Sequence, residues 1–299
     1  MTNDNIEITE IRQKIYTGER PLFGSKNLRI IDTVFDKGES PLKEGSNLEL
    51  SGCLFRWKYP LWYCNGVKAD GCTWFDMARA GVWYTSDIEV NNAIIQAPKN
   101  FRRSRGIKLT DVAFTDAKET LWSCTDVTLK NVSASKADYF LMNCSDLDID
   151  GLTLDGNYSF DGVKRATIRN SRLLTKDAFW NSKNVTVYDS FISGEYLGWN
   201  SQDLTFVNCT IESLQGMCYI DRLKIVNCKL INTTLAFEYS SVDAELTGKV
   251  DSVFNPASGR IEADSIGELI IEKDKVDPAR TVILAKDIIK RSDRPEWIR

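Results

Sequence analysis

Residues 176–201 read KDAFWNSKNVTVYDSFISGEYLGWNS. Phe179-Trp180-Asn181-Ser182 recurs as Gly198-Trp199-Asn200-Ser201, and Asn184-Val185-Thr186-Val187 recurs as Asp203-Leu204-Thr205-Phe206. Both shifts are 19 residues. Self-similarity at such an interval is the mark of stacked repeats. Extending it both ways gives register positions Asn27, Asn47, Gly66, Asp87, Gly106, Asp126, Asp146, Arg165, Asn184, Asp203 and Arg222, spaced 19–21 residues apart, with a weaker twelfth near Ser241.

The columns of this alignment have physical content. One residue after the register lie Leu28, Leu48, Val67, Ile88, Ile107 and their successors, and three after lie Ile30, Leu50, Ala69, Val90 and Leu109. Apolar residues at every second position mark a strand with one buried face. Five after the register the residue is always Asn, Asp or Gly. Those types tolerate a left-handed or turn backbone, so the chain bends there. Apolar residues return eight after, as in Phe35, Phe55 and Trp74, and again five before the next register, as in Leu61, Val82 and Phe179.

Strand, bend, short strand, variable loop and strand make one coil. Stacked coils of this kind predict an all-β protein, a right-handed parallel β-helix of about 12 coils and three sheets. Its columns would stack at the strand spacing of roughly 4.8 Å. Leucine-rich repeats share the period, but their asparagine follows the second leucine by three positions. Here Leu204-Thr205-Phe206-Val207-Asn208 has it two on. Six-residue left-handed repeats fail because 19–21 is not a multiple of six. We expect a single domain over 1–299: an N-terminal cap at 1–20, regular coils at 21–240, and irregular coils with a C-terminal cap at 241–299. Segments 242–246, 259–263 and 268–272 read as irregular strands, and 278–299 as a final strand, a cap or a subunit contact.

Composition narrows the function classes. The net charge of −4 argues against a nucleic-acid partner. No apolar run approaches the roughly 20 residues that span a bilayer, and the first residues lack the pattern of a secretory signal. Histidine is absent, which removes the commonest general base and metal ligand. Cys53, Cys72, Cys209 and Cys228 share one inward column, and Cys64, Cys124 and Cys144 share another. These read as packed thiols in a reducing compartment, hence the cytoplasm. Cys218 falls in a column expected to face outward. No metal or cofactor is expected.

That outward column, four before the register, holds Phe23, Lys43, Trp62, Trp83, Arg102, Trp122, Met142, Asp161, Trp180, Trp199, Cys218 and Phe237. Large exposed apolar patches mark binding sites, and flat rings offer their faces to the C–H side of a sugar. Arg103, Asn143, Asn181, Asn200 and Glu238 lie one residue on, at the corner. Trp62, Trp83, Arg103, Trp122, Asn143, Trp180, Asn181, Trp199, Asn200 and Glu238 are therefore the candidate ligand contacts for an oligosaccharide or other glycan. A homodimer through this face, or loops folded over it, are the alternatives.

The candidate catalytic residues are Asp161, Arg102, Arg79 and Glu195. Glycoside hydrolysis wants two carboxyl groups roughly 5–9.5 Å apart. Asp161 and Asp138 are four positions apart along the strand, an offset of roughly 13 Å, and Asp177 points away in a regular strand. A β-eliminating lyase with an arginine or lysine base is the other option, with Arg79, Arg102, Arg103 and Lys58 as a basic cluster.

The coil length, the bends and the stacked columns resemble the pectin-lyase-like right-handed β-helix superfamily. More narrowly, WKYPLWY, MARAGVWYT, APKNFRR, LDGNYSFDG, KDAFWNS, EYLGWNS and ESLQGMCYI resemble a bacterial family known only as a domain of unknown function. The resemblance implies a cytoplasmic β-helix without an assigned activity, in a superfamily rich in polysaccharide lyases and glycoside hydrolases. The polygalacturonase motifs are missing: Asn232-Thr233-Thr234 fails at its third place, and no Gly-His-Gly can exist. We therefore expect a saccharide-binding β-helix, hydrolase- or lyase-like if it is an enzyme. A non-catalytic binding or structural module is the alternative.

Overall fold

The computed structural model describes residues 8–294. The chain falls into two compact units, Met1–Thr153 and Leu154–Arg299. In the first, Thr9–Arg12, Lys26–Ile31, Ser46–Ser51, Asn65–Asp70, Ser86–Ile95, Arg105–Phe114 and Thr125–Ala134 pair in parallel, each with its successor one coil on. The register is the one read from the sequence: Leu28, Leu48, Val67, Ile88, Ile107 and Val127 face one another in turn. All six are buried, as are Ile30, Leu50, Ala69, Val90, Leu109 and Leu129.

A second side of each coil carries Val34–Phe35, Leu54–Phe55 and Thr73–Trp74. There Phe35, Phe55 and Trp74 stack at centroid distances of 5.2 and 5.0 Å. The third side is the shortest. It consists of Leu61–Trp62 paired with Val82–Trp83, continued by single bridges from Trp83 to Arg102 and from Arg102 to Trp122.

The second unit repeats the plan. Lys164–Arg169, Lys183–Tyr188, Gln202–Val207 and Leu223–Leu230 form its first side, followed by Ser241–Leu246, Ser258–Ile270 and Thr281–Ser292. Arg172–Lys176, Phe191–Glu195 and Thr210–Leu214 form its second. Among the described residues the helical content is one 3-10 turn, Pro278–Arg280.

The protein is thus an all-β parallel β-helix of about 15 turns rather than 12. The extra turns lie where the sequence period is weakest. Thr9–Arg12 and Ile15–Tyr16, in the segment expected as a cap, pair in parallel with the following coil. Beyond Ser241 the coils continue through Ser258–Ile270 to Thr281–Ser292. Residues 1–7 and 295–299 of the expected caps lie outside the described residues.

Hydroxyls and thiols are interchangeable in this core. Two residues before the register, Thr85 Oγ1 donates to Leu61 O at 2.8 Å and accepts the Cys64 N–H. Ser201 Oγ donates to Phe179 O at 2.5 Å and accepts the Ser182 N–H. Cys144 Sγ donates to Leu121 O at 2.9 Å and accepts the Cys124 N–H at 3.3 Å. Two of the three carbonyls, those of Leu121 and Phe179, belong to residues with positive φ. A buried carbonyl left alone would be costly, and most coils place a hydroxyl or thiol in this column, with Gly45, Val163 and Ile220 as the exceptions. All eight cysteines are free and buried. Cys218 is one of them, contrary to expectation. Its thiol reaches Gln215 O at 3.3 Å and Leu235 O at 3.7 Å, and burial pushes it up to about 12.

Candidate functional site

The tryptophan column is anchored, not displayed. Trp62 Nε1 donates to Ala80 O at 2.6 Å, Trp83 Nε1 to Lys99 O at 2.9 Å, and Trp180 Nε1 to Tyr196 O at 2.7 Å. Each acceptor sits seven residues before the next register, with positive φ. Arg102 does the same through Nε to Glu119 O at 3.3 Å, and the Cys218 thiol does so to Leu235 O. In these five coils a donor at this position ties one coil to the corner of the next.

The ring faces expected to meet a ligand are in part turned to neighbouring side chains. Trp62 and Trp83 stack at 5.2 Å and 5°, so they cover each other. The Arg102 guanidinium lies between the Trp83 and Trp122 rings, 5.4 and 4.9 Å from their centroids. Tyr59 and Tyr139 close on Trp62 and Trp122 at 4.6 and 6.1 Å. In the second unit Trp180 contacts Tyr158 and Trp199, and Trp199 contacts Tyr219 at 4.8 Å. The five rings are half-buried.

The remaining predicted site residues are dispersed along the outer corners. Arg102 pairs with Glu119. Burial alone would raise the Glu119 carboxyl, but the Arg102 hydrogen bond and the charges of Lys99 and Arg102 outweigh it and hold it low. Arg79, Arg103 and Asn143 are exposed. Asp161 accepts from Asn181 Nδ2 at 2.9 Å, and Asn181 accepts from Asn200 Nδ2 at 2.8 Å, a ladder of side chains along one corner. Glu195 pairs with Lys176 at 2.9 Å. Glu238 is half-buried and raised, by burial and by the charge of Glu272.

Asp177 departs from the regular strand. Its φ is +54°, and its N–H bonds Glu195 O at 2.8 Å. The residue is 8% exposed. Burial and the Glu195 charge raise its carboxyl, against the opposing effects of Lys176 and of a hydrogen bond with Tyr158. The left-handed backbone is what alternation could not foresee.

A second set of residues was missed for a simpler reason. Two after the register, the first unit carries Arg29, Glu49, Lys68, Glu89 and Lys108, one per coil and alternating in sign. The alternation is visible in the sequence once that column is read. Arg29 pairs with Glu49 at 2.8 Å. Lys68, Glu89 and Lys108 have no ion partner among the described residues, and Glu89 accepts one amide bond from Asn91 at 3.1 Å. Concavities of about 350 and 300 Å³ flank the row, both lined by Glu49, Lys68 and Glu89. The larger reaches the register corner, where Gly66 and Gly106 present no side chain. Among the described residues no three His, Cys, Asp or Glu side chains gather to hold a metal. No described helix is long and apolar enough to cross a membrane.

A family model described as "Protein of unknown function (DUF3737)" matches residues 9–284. The chain belongs to this family. No curated protein matches the DUF3737 chain significantly. Among solved structures it is similar to the tailspike protein of E. coli bacteriophage HK620 in complex with pentasaccharide, at 10% identity and a TM-score of 0.30, covering 90% of this chain and 60% of that one. It is similar to the A-module of the Azotobacter vinelandii mannuronan C-5 epimerase AlgE4, at 10% identity and a TM-score of 0.28, covering 96% and 87%. QnrB1, a plasmid-mediated fluoroquinolone resistance protein, matches at 15% identity and a TM-score of 0.25, covering 75% and 90%. Likenesses of this size carry no argument about ligand or activity.

Proposed function

We propose that this DUF3737 protein binds a saccharide along the charged row of its first unit, in the cytoplasm. One observation carries the reading: Lys68, Glu89 and Lys108 stand in line without ion partners between two contiguous concavities. Neighbours in the row are roughly 4.8 Å apart. Ammonium groups only donate hydrogen bonds and carboxylates only accept them, whereas a sugar hydroxyl does both. A polymer with a hydroxyl at every step can therefore meet each side chain in turn. Mixed signs and a net charge of −4 do not suit a uniformly charged polyanion. The tryptophans hold the coils behind this surface and are not its contacts. Eight free, buried thiols support a reducing compartment.

The test is calorimetric titration with a panel of neutral and charged oligosaccharides. Binding that is lost in a Lys68→Ala/Lys108→Ala variant and kept in Trp180→Phe supports the reading. Binding lost in Trp180→Phe and kept in the lysine variant overturns it, as does a panel with no binder.

A second reading rests on Asp177 and Glu195. Two adjacent carboxyl groups with different environments are the usual basis for dividing acid and base roles. Asp177, raised by burial, would donate a proton, and Glu195 would act as base. Turnover of any bound oligosaccharide that survives both Asp177→Asn and Glu195→Gln removes this reading.

A further inference from the structure

The described solenoid ends on an open strand. Thr281–Ser292 pairs in parallel with Ser258–Ile270, setting Ile283 on Ile261 and Ile288 on Ile266. Among the described residues Ser258–Ile270 is the strand that the register pairs with it. Ile261 and Ile266 are fully buried, because a coil lies on either side of them. Ile283 and Ile288 continue the same columns but are only half-buried. Val282, Leu284 and Ile289 on this strand are 53, 44 and 63% exposed. Unpaired backbone groups beside apolar side chains form a template for another chain.

The charges on the strand point to which chain. Lys286 and Asp287 are its two central residues, with five residues on each side. A two-fold axis through that midpoint sets each Lys286 against the Asp287 of the other copy. Leu284 and Ile289 lie at equal distances from the midpoint, as do Ala285 and Ile288, so these apolar residues meet one another, while Ile283 and Val282 meet Lys290 and Arg291 of the other copy. Asp287 has no ion partner among the described residues. Lys286 contacts Asp264 at 2.7 Å, and an ammonium group has further hydrogens to give. A two-fold contact closes after two copies, whereas head-to-tail stacking grows fibres.

We propose that a second copy of this chain covers the Thr281–Ser292 end. Two solenoids meet end to end about a two-fold axis. Ala285 and Ile288 of each copy cover those of the other, Ile283 packs on the alkyl chain of the other copy's Lys290, and two Lys286–Asp287 pairs fix the alignment. The saccharide surface plays no part in this contact.

Sedimentation equilibrium on the full chain and two charge variants tests it. Asp287→Lys places lysine against lysine, and Lys286→Asp places aspartate against aspartate. The wild type is expected to dimerise, and each variant alone to dimerise at least tenfold more weakly. An equimolar mixture of the two variants restores opposite charges at both contacts and is expected to form the heterodimer. Circular dichroism at equal concentration confirms that both variants fold. A monomeric wild type overturns the proposal, and so does open-ended growth. A variant that dimerises as tightly as the wild type, or a mixture that stays apart, overturns it equally.

Discussion

The Trp180 indole N–H reaches the Tyr196 carbonyl oxygen, 2.7 Å away and one coil further on. The bond ties an outward ring to a corner held at a φ of +50°. Trp180→Phe keeps a ring and deletes the donor. We expect it to lower stability by about 1 kcal/mol in urea unfolding. Trp180→Ala also loses the ring contacts with Tyr158 and Trp199, and is expected to cost about 3 kcal/mol. A Phe variant as stable as the wild type would mean that the bond contributes nothing, and equal losses in the two variants would mean that the ring contacts add nothing.

Arg102 and Glu119 form the charged version of this tie. The Glu119 carboxyl is held below its usual range, so its contribution is present above the unfolded-state value and fades as the pH falls through the folded-state value. Glu119→Gln is expected to cost about 1 kcal/mol at pH 7. The gap to the wild type should shrink as the pH drops below about 4. Urea midpoints measured across that range check it, and a gap independent of pH would refute it.

Asp177 has the opposite sign. Burial and Glu195 raise its carboxyl, so the stability tied to it is full below the unfolded-state value and is lost as the pH rises through the folded-state value. Asp177→Asn should therefore unfold at the same or a higher urea concentration than the wild type at pH 7. That advantage should vanish on acidification below about 4. An Asn variant less stable at pH 7 than at pH 4, relative to wild type, would contradict the assignment.

The thiol column predicts a contrast between two substitutions at one site. Cys144→Ser retains a group that donates to Leu121 O and accepts from Cys124 N–H. It should change stability by less than about 1 kcal/mol. Cys144→Ala leaves both backbone groups without their partner and should cost about 2 kcal/mol. Thermal melts of the two variants decide the matter, and equal losses would show that the thiol is mere packing.

The inward columns were legible in the sequence because burial imposes period two on every strand, as at Leu28 and Ile30. The corners were legible because few residue types accept their backbone, as at Asp32 and Asn92. The role of the tryptophans was not. An outward column announces exposure, but the indole N–H of Trp62 or Trp83 finds a carbonyl in the next coil, and no pattern within one coil reveals that partner. Asp177 was missed because a left-handed residue breaks the alternation used to orient it. Cys218 was missed because the column that is half-buried at the tryptophans is fully buried at Cys218 and Phe237. The row through Lys68, Glu89 and Lys108 lay in plain view, hidden only because ordinary surface strands also carry charges.

The column of hydroxyls and thiols has one more consequence. The polar side chains in it take their partners from the neighbouring coil or from their own, never from a distant part of the chain. A coil is therefore a spare part: its upper and lower surfaces obey the same rule. Excising residues 184–202 would bring Lys183 to Asp203 with an Asn/Asp corner, a buried Ser and an apolar pair waiting on each side of the join. The same cut displaced by a few residues in length would mismatch every rung above it. Growth of such a chain by whole turns costs little, and growth by single residues is confined to its loops.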